Sequence, residues 1–287
     1  MQAPSALAQV TALLRLMRPR QWVKNVFVLA PLVFAREYLD PSSVASAIFA
    51  FVLFCLASSA SYIVNDLRDV ERDRLHATKR RSRPLAAGEI EPRSALVLLG
   101  LLYAIVAAGI WADPRTGLVI VGYIALNLAY TFVLKDQPVL DLFCIAIGFV
   151  LRVYAGAVAL AVPLSSWMAI TTLCLALYLA AIKRRQELEG GGADTRRVLA
   201  RYSVPLIERY AEISATGALV FYSLFVISSN QNLVVTIPLV IFGLFRYWYV
   251  VDQQKDGESP TDVLLTDLPL IATVLLWVAA CVWALWP

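Results

Sequence analysis

The sequence has few charged residues for its length. Asp, Glu, Lys and Arg make up 16% of the 287 residues and hydrophobic types 60%, and the mean hydropathy is +0.69. A soluble domain needs more polar residues to cover its surface, so water is not the main solvent of this chain. Because the apolar runs continue from Trp22 to Trp286 without a polar block, we expect one membrane domain over residues 1–287.

Cysteine and histidine are also scarce. Cys55, Cys144, Cys174 and Cys281 stand singly in apolar stretches, without a CxxC pair or a nearby histidine, which excludes a cysteine-based metal site. We expect them to be small buried hydrophobes. The single histidine, His76, lies among basic residues, and we reject it as a catalytic base because the chemistry inferred below needs none.

Apolar stretches of spanning length dominate what remains. A transmembrane helix needs roughly 20 mostly apolar residues. The sequence therefore predicts an all-α, polytopic helical bundle of about nine transmembrane helices. The predicted spans are 22–38, 43–64, 95–112, 116–134, 139–161, 164–182, 213–230, 233–250 and 267–286.

Lysine and arginine are concentrated in alternate connections between these spans, whereas the other connections hold little more than Arg36 and Arg115. By the positive-inside rule, we expect a multi-pass protein of the cell membrane with its N-terminus and functional face in the cytoplasm. The stretch before Trp22 lacks an apolar core with a cleavage site, so it is not predicted to be a signal peptide. The long connections 65–94 and 183–212 are the expected functional loops.

The second predicted span ends in a row of acidic residues. From Asn65 the sequence is NDLRDVERD, and on a helix Asp66, Asp69 and Asp73 share one face. Three like charges need a cation, and Mg²⁺ prefers hard oxygen ligands and bridges carboxylates to substrate phosphates. The alternative is a solvated helix end, but carboxylates at the bilayer edge are costly and usually functional.

Basic residues follow this acidic row. Mg²⁺ on one side and Lys or Arg on the other is a common way to hold a diphosphate. The positive-inside rule accounts for Arg80 and Arg81, and Lys79 and Arg83 are predicted to bind substrate.

The pattern NDxxDxxxD resembles the first aspartate-rich motif of the UbiA superfamily of intramembrane prenyltransferases, which also have nine helices. The resemblance implies that Asn65, Asp66, Asp69 and Asp73 bind Mg²⁺ and a diphosphate within a helical bundle, with the three aspartates catalytic.

The second acidic motif of that superfamily, DxxxD at the end of the sixth helix, is missing here. KRRQE stands in its place, so that Glu187 is accompanied by Lys183 and Arg184. This departure suggests a substrate richer in phosphate than a prenyl diphosphate. The alternative is a cluster that only obeys the positive-inside rule.

Further candidates lie between the two motifs. Tyr130 and Lys135 loosely match a Tyr and a Lys of the superfamily, and Asp141 follows them. Arg152 lies inside an apolar span, where a lone cation is costly. Asp141 is about three helical turns from Arg152, too far for a direct pair, so we expect a phosphate or an acid from another helix there.

The segments RPRQWVKN, NDLRDVERD, LKDQPVLD and GFVLRVYAGA together resemble the branch of the superfamily that contains decaprenyl-phosphate phosphoribosyltransferases. The resemblance implies transfer of 5-phosphoribose from phosphoribosyl diphosphate to a polyprenyl phosphate, giving a lipid-linked precursor of cell-wall arabinan. The acceptor phosphate is already anionic and needs no strong base. The cations assigned to substrates are Lys135 and Arg152 for the lipid phosphate and Lys183 and Arg184 for the donor phosphates, with Lys24 and Asn25 lining the pocket.

Two other functions stay open. A prenyltransferase that alkylates an aromatic acceptor would normally have the second acidic motif. A transporter would show inverted repeats or broken helices, which we do not find, and its charges would not gather at one face. We expect no nucleic-acid partner, and the sequence leaves the lipid chain length and the oligomeric state open, a homo-oligomer included.

Overall fold

A computed structural model describes residues 6–75, 79–190, 198–253, 263 and 266–286. Within these ranges all regular secondary structure is helical, which confirms the predicted all-α class. Its α-helices in chain order are α1 Ala6–Met17, α2 Ala30–Phe34, α3 Pro41–Leu75, α4 Lys79–Ser82, α5 Pro84–Ala87, α6 Pro92–Ala112, α7 Pro114–Phe132, α8 Leu140–Ala159, α9 Ser166–Glu189, α10 Val204–Ser229, α11 Ile237–Gln253 and α12 Leu268–Ala284.

Seven apolar helices in the described ranges are long enough to cross a membrane: α3, α6, α7, α8, α9, α10 and the continuous stretch Gln231–Gln253, whose first turns are 3₁₀. The last predicted span is the apolar helix α12, which has 17 residues. The segment predicted as the first span differs most. It is a 3₁₀ helix over Pro19–Leu29 followed by the short α2.

Prolines and left-handed residues explain that broken segment. Pro19 and Pro31 have no N–H for a helical hydrogen bond. Arg18 and Arg36 have φ values of 54° and 63°, which no α-helix contains. An apolar pattern alone does not reveal these interruptions, so the sequence predicted one continuous span where the chain makes several short turns.

The two long connections contain more helix than their composition predicted. Helix α3 has 35 residues and continues through the acidic row to Leu75. Helix α9 likewise continues through the basic cluster to Glu189. The charged motifs therefore lie on the ends of long helices, where packing fixes their side chains, and not in loose loops.

Helix α8 crosses the Pro19–Leu29 segment at very short range. A Cβ atom on Gly156 would lie 1.9 Å from the carbonyl oxygen of Val28 and 3.2 Å from a ring carbon of Pro31. Only glycine allows this backbone approach, as small residues do at many membrane helix contacts. The crossing places the N-terminal segment, with Lys24 and Asn25, against α8.

Replacing Gly156 by alanine is expected to destabilise the protein by about 3 kcal/mol, because the new methyl group meets backbone that cannot move aside cheaply. Thermal unfolding in detergent measures the effect. The matched control is Gly100→Ala in α6, where a Cβ atom meets nothing within 4 Å. Equal unfolding midpoints for the two variants would contradict the assigned crossing.

Candidate active site

The acidic row of α3 forms one face, as its spacing predicted. Asp66 and Asp73 are 2% and 4% exposed, and Asp69 is half-buried beside them. Asn65 is also half-buried, one residue before Asp66. Carboxylates with so little access to water need close cationic partners.

Two arginines supply part of that charge. Arg18 Nη2 lies 2.5 Å from Asp66 Oδ1, and its guanidinium lies over the ring of Tyr62 at 5.0 Å. Arg83 Nη1 lies 3.0 Å from the same Asp66 oxygen and also pairs with Asp73 Oδ2. Arg83 was predicted as a substrate ligand, whereas Arg18 was named only as the start of RPRQWVKN. No local signal singled out Arg18, because its partner Asp66 is 48 residues away in the sequence.

Lys135 neutralises the third aspartate. Its Nζ lies 2.7 and 2.8 Å from the two carboxylate oxygens of Asp69. Lys135 belongs to the 3₁₀ turn Leu134–Asp136 between α7 and α8. The structure therefore brings a residue from a connection 66 positions away onto the acidic face, whereas the sequence analysis assigned Lys135 to the lipid phosphate.

The carboxylates of the acidic face are the candidate ligands of a metal ion. Among the described residues no three Asp, Glu, His or Cys side chains are grouped as a metal site, and the carboxylates of the acidic face pair with arginine and lysine nitrogens. Asp66 Oδ2, however, is buried with no hydrogen-bond partner in the described structure. A buried carboxylate oxygen without a partner is a costly feature and an available hard ligand. The donor atoms of this face therefore suit a hard divalent cation such as Mg²⁺.

A second charged cluster surrounds Arg184, which is 1% exposed. Its Nε donates to Asp141 Oδ2 at 2.8 Å and its Nη1 to Glu187 Oε2 at 2.6 Å. Its Nη2 lies 3.3 Å from the hydroxyl of Tyr130. The carboxylate of Asp141 is fully buried. Arg184 therefore links α7, α8 and its own helix α9, and its nitrogens donate hydrogen bonds to protein oxygens.

Lys183 differs from its neighbour. Its side chain is 42% exposed and its Nζ lies 3.9 Å from Glu187 Oε1. Of the two cations that replace the second acidic motif, Lys183 is the accessible one and Arg184 the internal one. Adjacent residues on a helix face different sides, but the sequence does not show which of the two faces the interior.

Arg152 has different partners from those expected. Its nitrogens donate to Asn25 Oδ1 at 2.8 Å, to the carbonyl of Gly148 at 2.7 Å and to the hydroxyl of Tyr123 at 3.0 Å. The rings of Phe54, Tyr123 and Phe149 lie 4.8 to 5.4 Å from its guanidinium carbon. These partners are neutral oxygens and aromatic faces, which stabilise a buried cation without cancelling its charge.

Asn25, which was predicted to line the pocket, is fully buried. Its amide donates to Cys55 Sγ at 3.2 Å and Ser58 Oγ at 3.1 Å while its oxygen accepts from Arg152. Lys24, the neighbouring candidate, is half-buried. The side chain of Lys79 and all of His76 lie outside the described residues.

Sequence reasoning did not identify Tyr202, which follows the 3₁₀ turn Leu199–Arg201. Its hydroxyl donates to Asp141 Oδ1 at 2.7 Å and accepts from the N–H of Val139 at 2.5 Å. A tyrosine 61 positions from its partner carries no local signal, so the pairing emerges only from the fold.

Residues 25–265 match the model of the UbiA prenyltransferase family. A decaprenyl-phosphate phosphoribosyltransferase of Mycolicibacterium smegmatis is 37% identical, with 94% of this chain and 91% of that protein covered. One of Mycobacterium tuberculosis is 38% identical, with 97% and 95% covered.

A solved structure shares the fold. A UbiA homolog from Archaeoglobus fulgidus bound to GPP and Mg²⁺ is 21% identical and has a TM-score of 0.74, with 94% of this chain and 98% of that chain covered. This likeness confirms the UbiA-like helical bundle that the sequence motifs predicted. With its membrane-length helices, its acidic face on α3 and a family match over most of its length, the chain belongs to the UbiA prenyltransferase family.

Proposed function

We propose that the protein transfers 5-phosphoribose from phosphoribosyl diphosphate to a polyprenyl phosphate, such as decaprenyl phosphate, and uses Mg²⁺. The observation that carries the proposal is the composition of the site. One acidic face is surrounded by the cations Arg18, Arg83 and Lys135, and Lys183 with a buried Arg184 stands where a second acidic motif would be. Such a site suits substrates that carry several phosphates. The names of the similar mycobacterial proteins support the same reaction.

The acidic face is the proposed diphosphate site. Asp66 and Asp73, with Asp69 and Asn65 beside them, would hold Mg²⁺, which supplies charge stabilisation to a diphosphate leaving group when bound. Arg18 and Arg83 now pair with carboxylate oxygens, and the same nitrogens suit phosphate oxygens. Lys135 is placed to bind the same diphosphate from the side of Asp69.

The transfer itself needs positioning more than proton chemistry. An oxygen of the lipid phosphate forms the new bond to the anomeric carbon, and the bond from that carbon to the diphosphate breaks. Since the nucleophile is already anionic, no general base is required. Lys183, the exposed cation, is assigned to the 5-phosphate of the donor. Arg152 would attract the lipid phosphate by its positive charge and not by direct hydrogen bonds, because its described hydrogen bonds go to protein oxygens.

The membrane placement follows from charge. The clusters that contain Arg18, Arg83, Lys135 and Lys183 lie in the connections predicted to be cytoplasmic by the positive-inside rule. We place the site at the cytoplasmic face of the cell membrane, where a soluble phosphoribosyl donor has access. The product, a polyprenylphosphoryl-5-phosphoribose, would serve as a lipid-linked precursor of cell-wall arabinan.

The purified protein, given Mg²⁺, radiolabelled phosphoribosyl diphosphate and a polyprenyl phosphate, is expected to move label into the organic phase, and EDTA is expected to stop the transfer. The physical reason is that a diphosphate leaving group needs its charge neutralised. Parallel reactions contain a prenyl diphosphate with an aromatic acceptor. Consumption of the prenyl diphosphate without label transfer would replace the proposed reaction with aromatic prenylation.

A further inference from the structure

The hydroxyl of Tyr202 joins two separate connections of the chain. Tyr202 follows the Leu199–Arg201 turn between α9 and α10 and packs in the same buried core as Val198. Its two hydrogen bonds reach Val139, at the end of the connection between α7 and α8, and Asp141, in the first turn of α8. Burial raises the pKa of the Tyr202 hydroxyl, and its hydrogen bond to Asp141 acts in the same direction, so the group stays a donor.

The backbone at Val139 needs such a partner. Its φ and ψ are 68° and −48°, an unusual conformation for a β-branched residue. Strained conformations of this kind persist only where surrounding contacts determine them. The Tyr202 hydroxyl binds the N–H of this residue at 2.5 Å. The same short connection carries Lys135, whose ammonium reaches Asp69 on the acidic face.

Asp141 extends the network to the second cluster. Its Oδ1 accepts from Tyr202 and its Oδ2 accepts from Arg184 Nε. Arg184 in turn holds Glu187 beside the exposed Lys183. One phenol hydroxyl therefore contacts both the connection that carries Lys135 and the carboxylate that orients Arg184.

We propose that Tyr202 is a positioning residue: its hydroxyl fixes the Val139 backbone and thereby holds Lys135 at the diphosphate site. In the described structure its hydrogen bonds reach neither the acidic face nor a cation assigned to substrate, and it acts through Lys135. The inference rests on the proposed function only in taking a diphosphate as the anion that Lys135 binds.

A double-mutant cycle tests this role. The affinity for inorganic diphosphate in the presence of Mg²⁺ is measured by calorimetry for the wild type, Tyr202→Phe, Lys135→Ala and the double variant in detergent. Tyr202→Phe is expected to weaken binding about tenfold, and the double variant to bind no more weakly than Lys135→Ala alone, because residues that act through one group are not additive. Tyr247→Phe is the matched control, since Tyr247 lies in the same core and its hydroxyl has no hydrogen-bond partner among the described residues.

The other outcomes are distinct. Wild-type affinity in Tyr202→Phe, or a tenfold loss that persists in the Lys135→Ala background, would overturn the positioning role. A lower unfolding midpoint with unchanged affinity would mean that Tyr202 only stabilises the fold, and it too would overturn the role. If the wild type binds diphosphate but transfers no phosphoribose, the proposed function is refuted. The double-mutant cycle would still test the role of Tyr202, because it measures only diphosphate affinity.

Discussion

Asp66→Asn is expected to reduce Mg²⁺-dependent phosphoribosyl transfer by about three orders of magnitude, as the removal of a key electrostatic group does in other enzymes. Asp66 is 2% exposed and contributes the one carboxylate oxygen on the acidic face that is both buried and without a hydrogen-bond partner in the described structure. An amide cannot supply the second anionic oxygen that a metal needs. Label transfer at saturating substrate and the Mg²⁺ dependence of thermal unfolding measure the two effects.

The same helix offers a control. Glu71 is an acidic residue of α3 whose side chain is 79% exposed and pairs with Arg74, away from Asp66. Glu71→Gln removes the same charge and should leave transfer and metal response near the wild-type values. Asp73→Asn should behave like Asp66→Asn. Full activity in either aspartate variant, with the fold intact in detergent, would exclude the metal assignment.

Arg184→Met should destabilise the protein by about 3–5 kcal/mol, because it removes one partner of a buried charge cluster. Asp141 would lose its cation at a site with no exposure, and Glu187 would lose its closest one. In a chain of this size the loss corresponds to about 10 °C in the unfolding midpoint. Thermal unfolding in detergent, followed by circular dichroism, measures it.

Lys183→Met is the matched control for that variant. It removes the same charge one position earlier, where the side chain is 42% exposed, so its effect on stability should be below about 1 kcal/mol while transfer falls. Combining Arg184→Met with Asp141→Leu should recover part of the lost stability, since the buried carboxylate that Arg184 neutralised is then also removed. Equal unfolding midpoints for the Lys183 and Arg184 variants would show that the buried ion pairs of Arg184 do not stabilise the fold.

Local patterns predicted the parts of the site that lie on one helix. The spacing of Asp66, Asp69 and Asp73 placed them on one face, and α3 does continue through them. The separation of Asp141 from Arg152 excluded a direct pair, and the structure gives the two different partners. Asp141 pairs with Arg184, while the acid expected near Arg152 is replaced by neutral oxygens. Both inferences follow from helical geometry, which depends only on residues close in sequence.

Those local patterns could not predict contacts between segments that are distant in the sequence. Arg18 meets Asp66 across 48 residues and Tyr202 meets Asp141 across 61. Such pairings depend on how the helices pack, and several packings satisfy the same apolar pattern. The broken first segment escaped prediction for a related reason, because the apolar composition around Pro31 resembles that of a continuous span.

Arg18, Arg83 and Lys135 together balance the three negative charges of the acidic face. A divalent cation that enters this face must displace an arginine, which leaves an excess of positive charge behind. Only an arriving anion restores the balance. Metal and diphosphate are therefore expected to bind synergistically, each raising the affinity for the other, so that the protein has little tendency to retain Mg²⁺ between turnovers.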